Sequence, residues 1–225
     1  MPEPKQWQDA INTCALIAIL RGLLPEDAVA VGGSLVNSGY TVIEVPLNSP
    51  RPLESIQQLS ANYAAQAVIG AGTVLSASDV EASIAAGATL IVAPDLNPDV
   101  AEAAVSAGVT YCPGVATPSE AFAAIDLGAH ALKLFPAELL TPKVVKAMHA
   151  VLPPATRTFP VGGIDTDNMG AYLTSGACGF GLGSSLFKAG RSIEDLTERA
   201  DQLMQAFRDA SRDVSLPVDS ISDHG

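Results

Sequence analysis

The chain is poor in positive charge. Its 225 residues carry 12 Lys plus Arg against 24 Asp plus Glu, a formal balance of 12 − 24 = −12. No basic cluster offsets that, so phosphate backbones and anionic membrane surfaces would repel it. Charge of either sign is scarce, at 16% of residues, while 48% are hydrophobic. A disordered chain has the opposite balance. Cysteine is scarce too. Cys14, Cys112 and Cys178 are far apart, with neither a CxxC pair nor a His/Cys cluster. That speaks against structural zinc and for small buried thiols in a reducing compartment. The first nine residues lack the basic and apolar regions of a secretory leader. The longest apolar runs, such as Ala15–Leu20, are too short to span a bilayer. A soluble, cytoplasmic protein is expected.

What is present is alternation. Short β-branched runs at Ala15–Leu20, Thr41–Pro46, Ala67–Ala71, Thr89–Val92, Val109–Cys112, Ala131–Phe135, Thr158–Val161 and Gly179–Leu182 read as eight strands. Amphipathic stretches at Pro25–Ser38, Pro52–Ala64, Ala77–Ala86, Pro98–Ala107, Ser119–Leu127, Pro142–Val151, Thr166–Ser175 and Ile193–Ser211 read as the helices between and after them. Prolines open four of these helices, where a missing N–H costs nothing. Gly39, Gly87, Gly108, Gly128 and Gly176 close five. Eight such units predict an α/β fold, a (β/α)8 TIM barrel, with a short extra N-terminal helix within Met1–Thr13 closing the bottom. An open doubly wound sheet is the alternative, but no Gly-rich dinucleotide turn follows the first strand. Residues 1–212 are expected to form a single barrel domain, and 213–225 to be a disordered tail.

Polar residues inside apolar strands are the anomaly. Alternate residues of a barrel strand face the interior. If Leu132 and Leu134 face the helices, Lys133 points inward. The same rule sends Glu44 inward, and extends through Ile17 and Ile19 to Arg21 and through Ile69 and Ala71 to Thr73. All four polar residues fall towards C-terminal strand ends, where barrel enzymes keep their sites. The plainer reading is a buried ion-pair network. Such networks are often neutral or costly for stability, so a functional role is favoured. His130 and His149 have no partner at metal-ligand spacing and read as structural. A second constellation is Val161-Gly162-Gly163-Ile164 and Gly181-Leu182-Gly183-Ser184-Ser185, after strands seven and eight. These are the usual phosphate positions of a barrel, where Gly162, Gly163 and Gly183 would bring backbone N–H groups close and Ser184 would donate its hydroxyl.

These motifs come in a known order. Ile-Ala-Ile-Leu-Arg-Gly (17–22), Glu-Val-Pro-Leu-Asn-Ser-Pro (44–50), Ile-Gly-Ala-Gly-Thr-Val (69–74), Ile-Val-Ala-Pro (91–94), Leu-Lys-Leu-Phe-Pro (132–136) and the two glycine turns resemble the KDPG/KHG aldolase family of class I pyruvate aldolases. The resemblance implies Lys133 as Schiff-base lysine and Glu44 as general acid/base. It implies Arg21 and Thr73 at the substrate carboxylate, Gly162, Gly183 and Ser184 at its phosphate, and Gly163, Pro94, Pro113 and Phe135 as pocket wall. It also implies a homotrimer, a sugar-acid phosphate substrate, and neither metal nor cofactor. Asn48, Ser49 and Val161 stand where gluco-specific members usually carry Arg, Thr and Thr. They match members acting on the galacto epimer, 2-dehydro-3-deoxy-6-phosphogalactonate. Gluco-specific or dual-specific cleavage is the near alternative, and a phosphate-binding barrel isomerase a distant one.

Overall fold

A computed structural model describes residues 4–212. The expected tail at 213–225 lies outside the described residues. Helix α1 (Lys5–Thr13) precedes strand β1 (Leu16–Ile19), α2 (Pro25–Asn37), β2 (Val42–Pro46), α3 (Pro52–Tyr63) and β3 (Val68–Gly72). Next come α4 (Ala77–Ala85), β4 (Leu90–Val92), α5 (Pro98–Ser106), β5 (Thr110–Cys112), β6 (Gly114–Val115) and α6 (Pro118–Asp126). The rest are β7 (Leu132–Leu134), α7 (Pro142–His149), β8 (Thr158–Pro160), α8 (Met169–Thr174), β9 (Phe180–Leu182) and α9 (Ile193–Arg212).

All strand pairs are parallel. One run is ordered β5-β4-β3-β2-β1-β9 and the other β6-β7-β8. Two joints close them into a ring. A parallel bridge between Val161 and Gly181 links β8 to β9. The other joint is Pro113, which separates β5 from β6. Proline has no N–H for the ladder, so the expected fifth strand splits there. Its carbonyl still accepts the Lys133 N–H at 2.9 Å. The result is the expected TIM-barrel-like α/β fold.

Local chemistry explains most boundaries. Prolines occupy the first turn of α2, α3, α5, α6 and α7. Helix α6 starts one residue before the expected position. Thr117 and Glu120 form a reciprocal capping box that fixes it. Helix α8 is shorter than expected, because the Asp165 carboxylate accepts the N–H groups of Asp167 and Asn168 at 3.0 and 3.2 Å. That local turn competes with helix. The five closing glycines all have positive φ, from 70° at Gly108 to 106° at Gly176.

The extra N-terminal helix lies at the N-terminal end of the barrel. Thr41, just before β2, donates its hydroxyl to the Ala10 carbonyl at 2.8 Å. Trp7 is 1% exposed and packs on Phe159, with ring centroids 5.9 Å apart. Closure on the β9–β1 side depends on a glycine. Phe180 N–H donates to Ala15 O at 2.9 Å, and a Cβ at Gly179 would overlap that same backbone oxygen. Gly179→Ala should therefore destabilise the fold by about 2–3 kcal/mol, read as a lower urea midpoint at unchanged slope.

Candidate active site

Strand register decides which side chains share the interior. Partners across a parallel ladder point the same way. Ile19 pairs with Glu44, and Glu44 with Gly70. Glu44 is 2% exposed, and its carboxylate fills the space a side chain on Gly72 would need. So Gly70 and Gly72, not Ile69 and Ala71, form the inward set of β3, one residue out of step with the sequence-based parity. The reason is volume. Leu90 fills the space beside Gly70 and Glu44 fills that beside Gly72.

Lys133 sits on β7, 5% exposed, with its Nζ 5.0 Å from the Phe135 ring centroid. The aromatic face offers a cation a partial substitute for water. Burial raises the Glu44 pKa, and the charges of Lys133 and Arg21 pull it back down. Glu44 Oε2 has no hydrogen-bond partner in the protein. It is a buried acceptor whose chemistry is unspent. Cys112 feels both Lys133 and Glu44, yet burial pushes its thiol up to about 12, so it stays protonated. The alternation rule thus places Glu44 and Lys133 correctly.

Arg21 is placed differently from its expectation. Strand β1 ends at Ile19, so Arg21 is not an inward strand residue but lies exposed in the turn that follows. Its charge still reaches Glu44. The turn is tied down by Ser49, whose hydroxyl accepts the Gly22 N–H at 3.0 Å. Ser49 is 8% exposed, and no sequence pattern signalled this positioning role. Thr73 also reaches the rim by a turn rather than by alternation. It has φ 56°, a left-handed conformation rare for a β-branched residue and characteristic of functional strain.

Pro94 follows β4, half-buried, with its carbonyl packed so tightly on Gly114 that a Cβ there would overlap it. Phe135 is half-buried beside Lys133, and Pro113 is buried. Gly162 and Gly163 form a turn with φ 109° and 64°. The Gly163 carbonyl accepts the Asn168 side-chain amide at 2.7 Å. A Cβ at Gly183 would meet open space, and Ser184 beside it is exposed. The Val161 side chain packs over Gly181 beside Ile19. The site residues therefore gather around the C-terminal strand ends. His130 and His149 stand apart from this group: His130 Nδ1 accepts the Tyr111 N–H, and His149 Nε2 pairs with Thr158 Oγ1 at 2.8 Å. A cavity of about 350 Å³ lies elsewhere, lined by Leu47, Arg51, Leu53, Glu54, Asp79 and Ala82. Among the described residues no group of His, Cys, Asp or Glu could hold a metal ion. No helix among them is long and apolar enough to cross a membrane.

A (β/α)8 barrel with a buried lysine beside a buried carboxylate is the arrangement of a class I aldolase, a carbon–carbon lyase. The chain belongs to the KDPG and KHG aldolase family, whose model matches residues 8–201. It is 42% identical to the 2-dehydro-3-deoxy-6-phosphogalactonate aldolase of Escherichia coli K12, over 91% of this chain and 98% of that one. It is 45% identical to a probable 2-dehydro-3-deoxy-6-phosphogalactonate aldolase of Rhizobium meliloti 1021, over 85% and 91%. A solved structure of native KDPGal superposes with a TM-score of 0.86 at 43% identity, over 88% of this chain and 96% of that one.

The electrostatics of Glu44 have a consequence for stability. Well below the ordinary glutamate value the carboxyl is protonated in both folded and unfolded chain and imposes no penalty. As pH rises the unfolded chain ionises first, and the fold pays a penalty that grows until the buried carboxyl ionises too. Glu44→Gln should raise the melting temperature over wild type more at about pH 7.5 than at about pH 4. Equal gains at both would show that burial does not raise this group.

Proposed function

We propose that this protein cleaves 2-dehydro-3-deoxy-6-phospho-D-galactonate to pyruvate and D-glyceraldehyde 3-phosphate through a Schiff base on Lys133. The observation that carries the chemistry is the buried pair, Lys133 and Glu44, in one apolar interior. Breaking a bond beside a carbonyl needs an electron sink. Lys133 Nζ in its neutral form adds to the C2 ketone and, with loss of water, forms an iminium. Glu44 takes the C4 hydroxyl proton. The electrons of the C3–C4 bond flow to the iminium, and the aldehyde departs. Protonation of the enamine at C3 and hydrolysis of the imine then release pyruvate and restore the lysine. A carboxyl whose pKa is raised holds its proton more readily and is suited to carrying protons both ways.

The binding roles rest on the family resemblance and are supported by the position of these residues at the C-terminal strand ends. Arg21 and Thr73 take the substrate carboxylate. Gly162, Gly183 and Ser184 take the phosphate, with Gly163, Pro94 and Phe135 as walls. The phosphate is remote from the reacting bond, so its binding energy orients the substrate. Preference for the galacto epimer is supported by the two relatives above and by Val161, whose apolar side chain at the barrel mouth offers no hydrogen bond to a C4 hydroxyl. The same reading makes the protein a single-domain, cytoplasmic homotrimer. Family membership supports the trimer. Mass in solution tests it.

Borohydride added with pyruvate should fix one pyruvate-derived mass on Lys133. An adduct on another lysine, or none, removes Lys133 from the mechanism. Cleavage of both C4 epimers by the pure enzyme should favour the galacto compound in kcat/KM by at least about tenfold, a difference of about 1.4 kcal/mol. A preference for the gluco epimer would overturn the substrate assignment.

A further inference from the structure

The turn assigned to phosphate has an acidic neighbour that the mechanism does not use. Glu138 follows β7, and its carboxylate rests on both glycines of the Gly162–Gly163 turn. Oε2 occupies the space a Cβ on Gly162 would need, and a Cβ on Gly163 would lie 3.1 Å from Glu138 Cγ and 3.4 Å from Oε1. The placement is built into the fold. The preceding residue, Ala137, donates its N–H to the Val161 carbonyl at 2.9 Å, and its own carbonyl accepts the Tyr172 hydroxyl at 2.9 Å. Tyr172 registers the nearby charge: burial first, then Glu138, raises its pKa. The two glycine turns themselves, 161–164 and 181–185, contain no Lys or Arg. Within these turns phosphate would meet backbone and hydroxyl dipoles, with a carboxylate packed against one of them.

We propose that Glu138 is a specificity-determining residue whose negative charge weakens the hold of this turn on anions, so that inorganic phosphate and the three-carbon phosphate product leave readily. The intact substrate is retained because it has two further anchors, Arg21 on its carboxylate and the covalent bond to Lys133. The inference rests on the phosphate site proposed above. It assigns Glu138 an effect on binding and none on bond cleavage.

The test is Glu138→Gln in the full chain, which keeps shape and removes charge. Glu138 is exposed, so solvent screens its charge, and inorganic phosphate and D-glyceraldehyde 3-phosphate should inhibit this variant about three- to fivefold more tightly than wild type. KM for the phosphorylated substrate should fall, while pyruvate trapping on Lys133 is unchanged. Glu138→Asp, which retains the charge, should stay within about twofold of wild type. Inhibition of Glu138→Gln within about twofold of wild type, or weaker, overturns the proposal and leaves Glu138 as a mere packing support. A separate arm guards the underlying reading. If wild type is not competitively inhibited by phosphate and cleaves the unphosphorylated sugar acid equally well, the phosphate site itself is wrong, and the role of Glu138 falls with it.

Discussion

Desolvation of one carboxyl governs this site. Glu44 lies among apolar strands with almost no access to solvent, and Lys133 and Arg21 bring positive charge to it. In such surroundings an ionised carboxylate is costly, so its proton is held more firmly than on a surface glutamate. That cost is also what makes the group useful. A carboxyl that holds its proton more firmly can give and take it in several steps of one reaction. Buried charge is a poor way to stabilise a barrel, and the plain alternative of a structural ion pair does not explain why Oε2 is left without a partner.

The barrel supplies the room. Gly72 is the seat of the Glu44 carboxylate, and any side chain there would displace it. Pro113 interrupts the fifth strand where its neighbour carries Lys133, yet still accepts the lysine's N–H. The close approach of Pro94 to Gly114 draws the loop after β4 against β6. Each of these features lies beside Glu44 or Lys133 or on the strand paired with one of them. The strained Thr73 belongs to the same pattern, since strain persists where surrounding contacts over-determine the backbone.

The acidic balance of the chain takes on a sharper meaning beside this site. An anionic substrate gains nothing from a net charge of −12, so attraction is local. In the proposed function, Arg21 at the rim, the inward lysine and the backbone of two glycine turns supply it. Glu138 adds acid at the one place where the opposite would be expected. Tight binding of a product is as harmful to turnover as weak binding of a substrate, and in the proposed role a fixed negative charge beside this turn acts on the product most.

Much of this was legible in the residues alone. Alternating runs, prolines at helix starts and glycines at helix ends define eight β/α units because each reflects a local steric or hydrogen-bonding rule. Strand alternation also singled out Glu44 and Lys133, since a charge within an apolar run is visible without coordinates. Three-dimensional packing decided the remainder. Ladder register put Gly70 and Gly72, not Ile69 and Ala71, on the inner face of β3, because their missing side chains admit Leu90 and Glu44. The end of β1 at Ile19 put Arg21 in a turn, beyond the reach of any period-two rule. Ser49 beneath that turn and Glu138 against Gly162 are joined to their partners by contacts between distant parts of the chain. Local sequence determined which elements form and where charge is anomalous. Which side chains meet was settled only when the ring of strands closed and left room for some and not for others.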